Sequence, residues 1–314
     1  MPADITRRTA MITATAAVPL GAVALAGSAA QAQTTTQETT DMPPAIPPYR
    51  RLTIGAFTVT PLLAGTRSME NPHGTFGTNA SKEEFDEISA ENFIPSDASL
   101  NGFTPVLVET GTETILFDTG LTADGMTAAL HAAGKSAQDI THVVITHMHG
   151  DHIGGVMTDG TPTFPNAEYL TGQVEFDHWS QSGNEMFEAN IRPLADQFTF
   201  LNGGDNLRPG ITAIEAFGHT PGMLAFLIES DGARLMLTAD TVNHYVWSLQ
   251  KPEWTVRFDM DSDAAAATRK ALLGRIAEEK LPFIGYHMPF PGVGFLEPKG
   301  DGFRFIPMSY QFNL

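Results

Sequence analysis

The sequence predicts an α+β fold in which two packed β-sheets carry helices on their outer faces. Two patterns predict it. From Arg51 onward, short apolar runs of strand length alternate with turn residues. A smaller number of segments with helical spacing lie among them. Sheets and amphipathic helices each have an apolar face to bury, and stacked layers are how such a mixture buries them. The 314 residues, 42% of them hydrophobic, suffice for a large core in one large domain or two small ones.

Along the chain, residues 1–32 read as an export signal. Arg7-Arg8 precede an alanine-rich apolar run from Ala10 to about Ala26, and Ala30-Gln31-Ala32 gives a small-x-small cleavage site. The arginine pair in Thr6-Arg7-Arg8-Thr9 resembles a twin-arginine signal, which implies a periplasmic or secreted protein exported already folded. An ordinary secretory signal is the plainer alternative. A permanent membrane helix is disfavoured, because the run is short and rich in Ala and Gly. Residues 33–48, rich in Thr, Gln and Pro, read as a flexible linker. That leaves 49–314 as the folded domain.

Strands are expected at 52–63, 104–109, 114–118, 142–146, 167–171, 211–216, 224–229, 234–238, 282–286 and 304–310. Helices are expected at 123–133, 174–179, 185–197 and 263–279. The last is the clearest. Ser262 is a capping type, and Ala265, Thr268, Leu272 and Ile276 form a stripe of helical period. Residues 69–102 differ. They are polar and acidic with scattered Phe76, Phe85 and Phe93, and one short helix is expected near 82–88. A segment of this kind is either a surface excursion or a cover over a site.

Composition narrows the chemistry. A formal charge of −18 repels phosphate backbones and anionic lipid, so neither nucleic acid nor a membrane surface is an expected partner. The chain has no cysteine, which excludes disulfides, thiolate ligands and Cys nucleophiles. Any metal must be held by His, Asp, Glu or backbone oxygen, a donor set suited to zinc, manganese, iron or cobalt.

The apolar strand at 142–146 runs straight into His147-Met148-His149-Gly150-Asp151-His152. Burying three imidazoles and a carboxylate without partners would cost on the order of several kcal/mol, so this is no core feature. At a strand end His147 and His149 point the same way. Gly150 permits a turn that brings Asp151 and His152 to a second position nearby. Two ligand pairs on one loop suit a two-metal site. More ligands must come from downstream. His219, Asp240 and His287 each follow an apolar strand, and a site assembled along one sheet edge would draw on them. Asp118, at the end of the 114–118 strand, reads either as an acceptor for the outer N–H of a ligand histidine or as a plain turn aspartate. His73, His131, His142, His178 and His244 read as solvated or structural, with His178 and His244 the two that could line a pocket.

The pattern His147-x-His149-x-Asp151-His152, with His219, Asp240 and His287, resembles the metallo-β-lactamase superfamily over nearly the whole mature chain. Within it, the sequence is most similar to methyl parathion hydrolase and its relatives and to secreted lactonases. That likeness is carried by Ile145-Thr146-His147-Met148-His149, Phe164-Pro165-Asn166-Ala167, Gly218-His219-Thr220-Pro221-Gly222 and Gly302-Phe303-Arg304-Phe305-Ile306-Pro307. The resemblance implies a four-layer αββα sandwich with its site at one edge. It implies one metal on His147, His149 and His219, another on Asp151, His152 and His287, and Asp240 bridging them. The metals are expected to be two divalent ions, zinc foremost. Asp118 matches the aspartate that orients a ligand histidine in that family. Trp179 matches an aromatic pocket residue, Phe187 is paired with another, and Leu121 and Met126 stand nearest the family's aromatic gate. Asn243 occupies the place of a tyrosine carried by acyl-homoserine lactonases.

The expected function is metal-dependent hydrolysis in which a hydroxide on the metals attacks an ester or lactone carbonyl, with Asp151 shuttling the proton to the leaving group. An organophosphate triesterase is the alternative within the same chemistry. A non-catalytic exported metal-binding protein is the alternative from another class. The expected partner is a hydrophobic small molecule, and pairing into a homodimer is left open.

Overall fold

The structure is a computed structural model that describes residues 46–309 and 311. The expected export signal, most of the expected linker and the end of the expected final strand lie outside the described residues.

Two seven-stranded sheets form the body. The first runs, in spatial order, Leu52–Ile54, Phe57–Pro61, Val106–Glu109, Thr114–Phe117, His142–Ile145, Glu168–Gly172 and Phe198–Leu201. Its first four strands are antiparallel, and the last three continue parallel. The second runs Asn206–Arg208, Ile211–Glu215, Leu224–Ser230, Ala233–Leu237, Phe283–Ile284, Val293–Lys299 and Gly302–Pro307. It is antiparallel except where Ala233–Leu237 meets Phe283–Ile284. Parallel neighbours need a crossover, and helices supply it: Ala123–Ala132 and Gln173–Trp179 for the first sheet, Ser262–Glu278 for the second.

Each sheet is buried on both faces. On the central strand, Val144 points between the sheets and packs with Val108, Phe117, Phe226 and Ile228. Its neighbours Val143 and Ile145 point the other way, against Met126, Leu130 and Ile191. The second sheet repeats the arrangement, with Leu227, Met236 and Phe283 against Leu272, Leu273 and Ile276 of the long helix. Burial on two faces explains why these strands read as unbroken apolar runs. The layers are helix, sheet, sheet, helix, the αββα sandwich expected.

Local departures have local causes. The expected strand at 52–63 is two strands turned at Gly55, whose φ is +59°. A Cβ there would lie 2.1 Å from the Ser230 carbonyl oxygen, so the turn requires glycine. The expected helix at 185–197 is α-helical only over Glu185–Asn190 and then tightens to a 3₁₀ helix at Arg192–Gln197, where Pro193 lacks the donor an α-helix needs. The long helix is capped by Asp261 rather than Ser262, with Asp261 Oδ1 accepting from the Ala264 amide at 3.0 Å. The strand Val293–Lys299, unforeseen, forms a hairpin with Gly302–Pro307.

The excursion at 69–102 is anchored at both ends by a separate two-stranded hairpin, Gly65–Glu70 with Ala98–Phe103. Between its arms sits the helix Lys82–Glu91, closed by a capping box between Ser81 and Glu84. Phe85 and Ile88 of that helix pack on Trp247, Trp254 and Val256, forming a small core of their own.

Candidate metal centre

The site begins where the central strand ends. The Thr146 amide donates to Asp118 Oδ1 at 2.8 Å, and its hydroxyl donates to Asp118 Oδ2 at 2.9 Å. This fixes the direction in which residues 147–152 leave the sheet. The turn is one short helix, Gly150–Ile153. Gly150 lies in it and has no positive φ, so the turn does not depend on glycine freedom as the sequence suggested.

The structure brings all seven expected ligands together in two adjoining groups, His147 with His149 and His219, and Asp151 with His152, Asp240 and His287. In the first, His149 Nδ1 lies 3.2 Å from His147 Nε2 and 3.0 Å from His219 Nε2. Gly218, at φ +122°, delivers His219. A Cβ at 218 would lie 2.2 Å from the Ala265 amide nitrogen of the long helix. In the second group, Asp240 faces both sides. Its Oδ2 is 3.1 Å from His287 Nε2 and 3.4 Å from His219 Nε2, and its Oδ1 is 3.3 Å from His152 Nε2. Asp118 and Ala239 hold left-handed backbone, φ +60° and +44°, at the strand ends that carry the site. Such backbone in non-glycine residues costs roughly 1–3 kcal/mol each and persists only where the surroundings enforce it.

The outer nitrogens show why the inner ones are free. His147 Nδ1 donates to Thr146 Oγ1, His152 Nδ1 to Asp118 Oδ2, His219 Nδ1 to Asp259 Oδ1 and His287 Nδ1 to the Gly102 carbonyl. Each of these rings therefore turns an Nε2 lone pair inward. Burial pushes His147 well below the ordinary imidazole range and His149 down to about 3, so both are neutral donors. For His152 and His287, burial acts in the same direction, but the Asp240 and Asp151 carboxylates outweigh it and raise them, joined at His152 by Asp118. That half of the site draws positive charge to itself. His152 Nε2 and Asp240 Oδ1 are buried without any hydrogen-bond partner. Converging lone pairs, orphaned buried donors and acceptors, and clustered carboxylates are what a pair of divalent cations resolves, and the all-nitrogen-and-oxygen donor set suits zinc.

Two acidic residues unforeseen in the sequence hold the ligand loops in place. Glu175, fully buried, accepts four bonds: from the Met148 amide, Trp179 Nε1, the Thr220 hydroxyl and the Gly222 amide. It thus clamps the His147–His149 loop to the His219 loop. Asp259 accepts from His219 and, on its other oxygen, from Arg269 Nη2 at 3.0 Å. Buried Arg269 also donates to the Thr241 carbonyl beside Asp240. The sequence offered no local signal for either acid, since each matters only through donors far away in the chain.

A cavity of about 530 Å³ opens onto the metal centre. Met69, Phe76, Phe103, Leu121, Met186 and Phe258 supply its apolar wall. The 69–102 excursion therefore covers the site. Leu121 and Asn243 line the cavity. Met126 and Phe187 do not. Both are wholly buried in the core between the first sheet and its helices, Met126 on the inner face of its helix and Phe187 beside Ile191. Trp179 does not line the cavity either. Its indole N–H is tied to Glu175, and its ring meets His149 edge-on at 5.7 Å. His244 is buried against Trp247 rather than open to the cavity.

The Metallo-beta-lactamase superfamily domain matches residues 104–279, more than half of the chain. The chain belongs to the metallo-beta-lactamase superfamily. Among superfamily members it is similar to an atrochrysone carboxyl ACP thioesterase of Aspergillus terreus, 31% identical over 145 residues. That alignment covers 46% of this chain and 40% of the relative. It is also similar to an N-acyl homoserine lactonase of a Bacillus species, 26% identical over 166 residues, covering 52% of this chain and 62% of the relative. The chain thus spans between two fifths and two thirds of these curated relatives. Among solved members, AidC, a dizinc quorum-quenching lactonase, superposes with a TM-score of 0.77 at 29% identity, covering 83% of this chain and 98% of that one.

Proposed function

We propose that this protein is a binuclear metal-dependent hydrolase that cleaves ester or lactone bonds. The observation that carries the reading is Asp240, whose two oxygens face both ligand groups at the floor of an apolar cavity. His147, His149 and His219 would hold one ion, Asp151, His152 and His287 the other, with Asp240 between them. Two zinc ions so held would lower the pKa of a water from about 15.7 towards about 7 and polarise the substrate oxygen.

The chain's own groups supply the rest. The apolar wall seats the substrate's hydrocarbon portion and excludes water from it. Asp151 is the most open acid of the set, with 23% of its side chain exposed. It would hold the proton released from water and pass it to the leaving oxygen. Asn243 Nδ2 donates to Asp240 Oδ2 at 3.1 Å and fixes that carboxylate's orientation. Asp118 fixes His152. The lactonase and thioesterase names of the relatives support an acyl substrate. The reading includes export, supported by Arg7-Arg8 and Ala30-Gln31-Ala32.

The test is a hydrolysis panel of acyl lactones, aryl esters and phosphotriesters on protein of measured metal content. Hydrolysis of lactone or ester, abolished by chelation and restored by zinc, is the expected result. Preference for the phosphotriester by orders of magnitude overturns the choice of substrate. Absence of turnover in fully loaded protein favours a metal-binding role without catalysis.

A further inference from the structure

One wall of the cavity is one face of the Gly65–Glu70 and Ala98–Phe103 hairpin. Arg67 stands opposite Asn101 in register, and Gly65 opposite Phe103. Directly opposed residues of an antiparallel pair project on the same face, as do residues two apart. Arg67, Met69, Asn101 and Phe103 accordingly all line the cavity. Met69 and Phe103 are apolar, so the pair Arg67 and Asn101 forms a single polar patch on that wall.

Arg67 is the arginine that lines the cavity, and like Arg50 and Arg51 it has no carboxylate partner among the described residues. Acidic residues outnumber basic ones by 36 to 18. Arg192, Arg208, Arg234, Arg269, Arg275 and Arg304 all have carboxylate partners. Arg257, next to the cavity residue Phe258, is stacked on that ring at 4.8 Å. Among the described residues, nothing pairs with or accepts from the Arg67 guanidinium. Asn101 uses only its carbonyl oxygen, which accepts from Ser99 Oγ at 3.4 Å, and its amide N–H₂ has no partner. Arg67 is exposed at the mouth of the cavity and Asn101 is half-buried, and five guanidinium N–H bonds and two amide N–H bonds there have no acceptor within the described residues of the protein.

We infer that the substrate is an ester or lactone carrying a carboxylate remote from the scissile bond, and that Arg67 with Asn101 binds this carboxylate. A guanidinium matches a carboxylate in a planar fork, and the neighbouring amide adds a third donor from the same face. The apolar residues of the same cavity take the hydrocarbon spacer. The scissile bond in this inference rests on the hydrolase reading. The recognition of a carboxylate does not.

The experiment therefore reads binding and turnover separately. Linear dicarboxylates from succinate to sebacate and monocarboxylates of equal length are titrated calorimetrically into zinc-loaded full-length protein. One carboxylate of each is available to the metals, and only the dicarboxylates have another for Arg67. At the fitting length, the dicarboxylate should bind about tenfold tighter or more, the scale of one charge-assisted hydrogen bond. The preference should vanish in Arg67→Ala and persist in part in Arg67→Lys. In parallel, aryl hemisuberate should exceed aryl octanoate in kcat/KM, chiefly through KM, and Arg67→Ala should reverse that order. If no dicarboxylate outbinds its monocarboxylate partner, or Arg67→Ala keeps the preference, the inference is overturned. A preference for dicarboxylates without hydrolysis of any ester would remove the hydrolase reading and uphold this one.

Discussion

Nδ1 of His219 lies 2.8 Å from Oδ1 of Asp259, and the opposite oxygen of that carboxylate is held by buried Arg269. The link couples a ligand of the metal centre to the long helix on the outer face of the second sheet. Replacing Asp259 by Asn keeps the shape and weakens the hold on the ring. Zinc affinity, measured by competition with a chromophoric chelator, should fall about 10- to 100-fold. Asp259→Ala leaves the Arg269 cation buried without its partner, and thermal unfolding should report a loss of roughly 3–5 kcal/mol.

Asp240 touches both ligand groups, so its removal should change the count of ions rather than one affinity. Metal analysis of Asp240→Ala after dialysis should give no more than one zinc per chain, against two in the parent. Two tightly held ions in the variant would show that Asp240 does not bridge.

Glu175 accepts four hydrogen bonds with its two oxygens. Glu175→Gln turns one oxygen into an N–H₂ that faces two donors. Each orphaned buried donor costs roughly 1–3 kcal/mol. Denaturant unfolding should show a loss of roughly 2–6 kcal/mol for the two donors, and the His147 and His219 loops should gain amide exchange together, because one carboxylate clamps both.

His244 gives the pH dependence a sign. Burial lowers it from 6.5 to about 3, with the charge on His287 a smaller contribution. Its Nδ1 accepts from the Val246 and Trp247 amides, as a neutral ring must. The unfolded chain therefore binds a proton that the folded chain refuses. This contribution to stability is complete above about pH 6.5 and is lost as pH falls towards 3, at about 1.4 kcal/mol per unit. His244→Phe should be less stable at pH 7 and show a shallower decline between pH 6.5 and 4. Parallel acid limbs in the two proteins would contradict the assignment.

The candidate ligands were legible because chemistry and position coincide in them. His147, His219, Asp240 and His287 each lie a short step beyond an apolar run, where a core residue has no reason to be polar. The sandwich was legible because strands buried on both faces leave unbroken apolar stretches such as Val143–Val144–Ile145. The cavity wall was less so. Met126 and Met186 are the same residue on two different helices, yet one faces the core and the other the cavity, and only the packing decides which. Glu175 and Asp259 look like surface acids until distant donors are brought to them. The hairpin arms at 65–70 and 98–103 were not legible because they lack the apolar–polar alternation of a half-buried strand: Thr66, Arg67 and Ser68 are exposed in succession, and Leu100 faces water.

The Gly102 carbonyl that receives the His287 ring belongs to the same hairpin that shapes the cavity. Diversification of this protein is therefore unevenly constrained. Substitutions near Gly102 that reshape the roof for a new substrate also disturb one ion's ligand, so selection there acts on metal retention and specificity together. Met186 belongs to a short helix capped by Asn184, and its side chain packs beside Gly150 of the ligand turn without holding any candidate ligand through a hydrogen bond. Libraries built at position 186 should yield altered substrate preference with metal content intact, and those built at 101–103 should yield variants that recover activity only when zinc is supplied in excess.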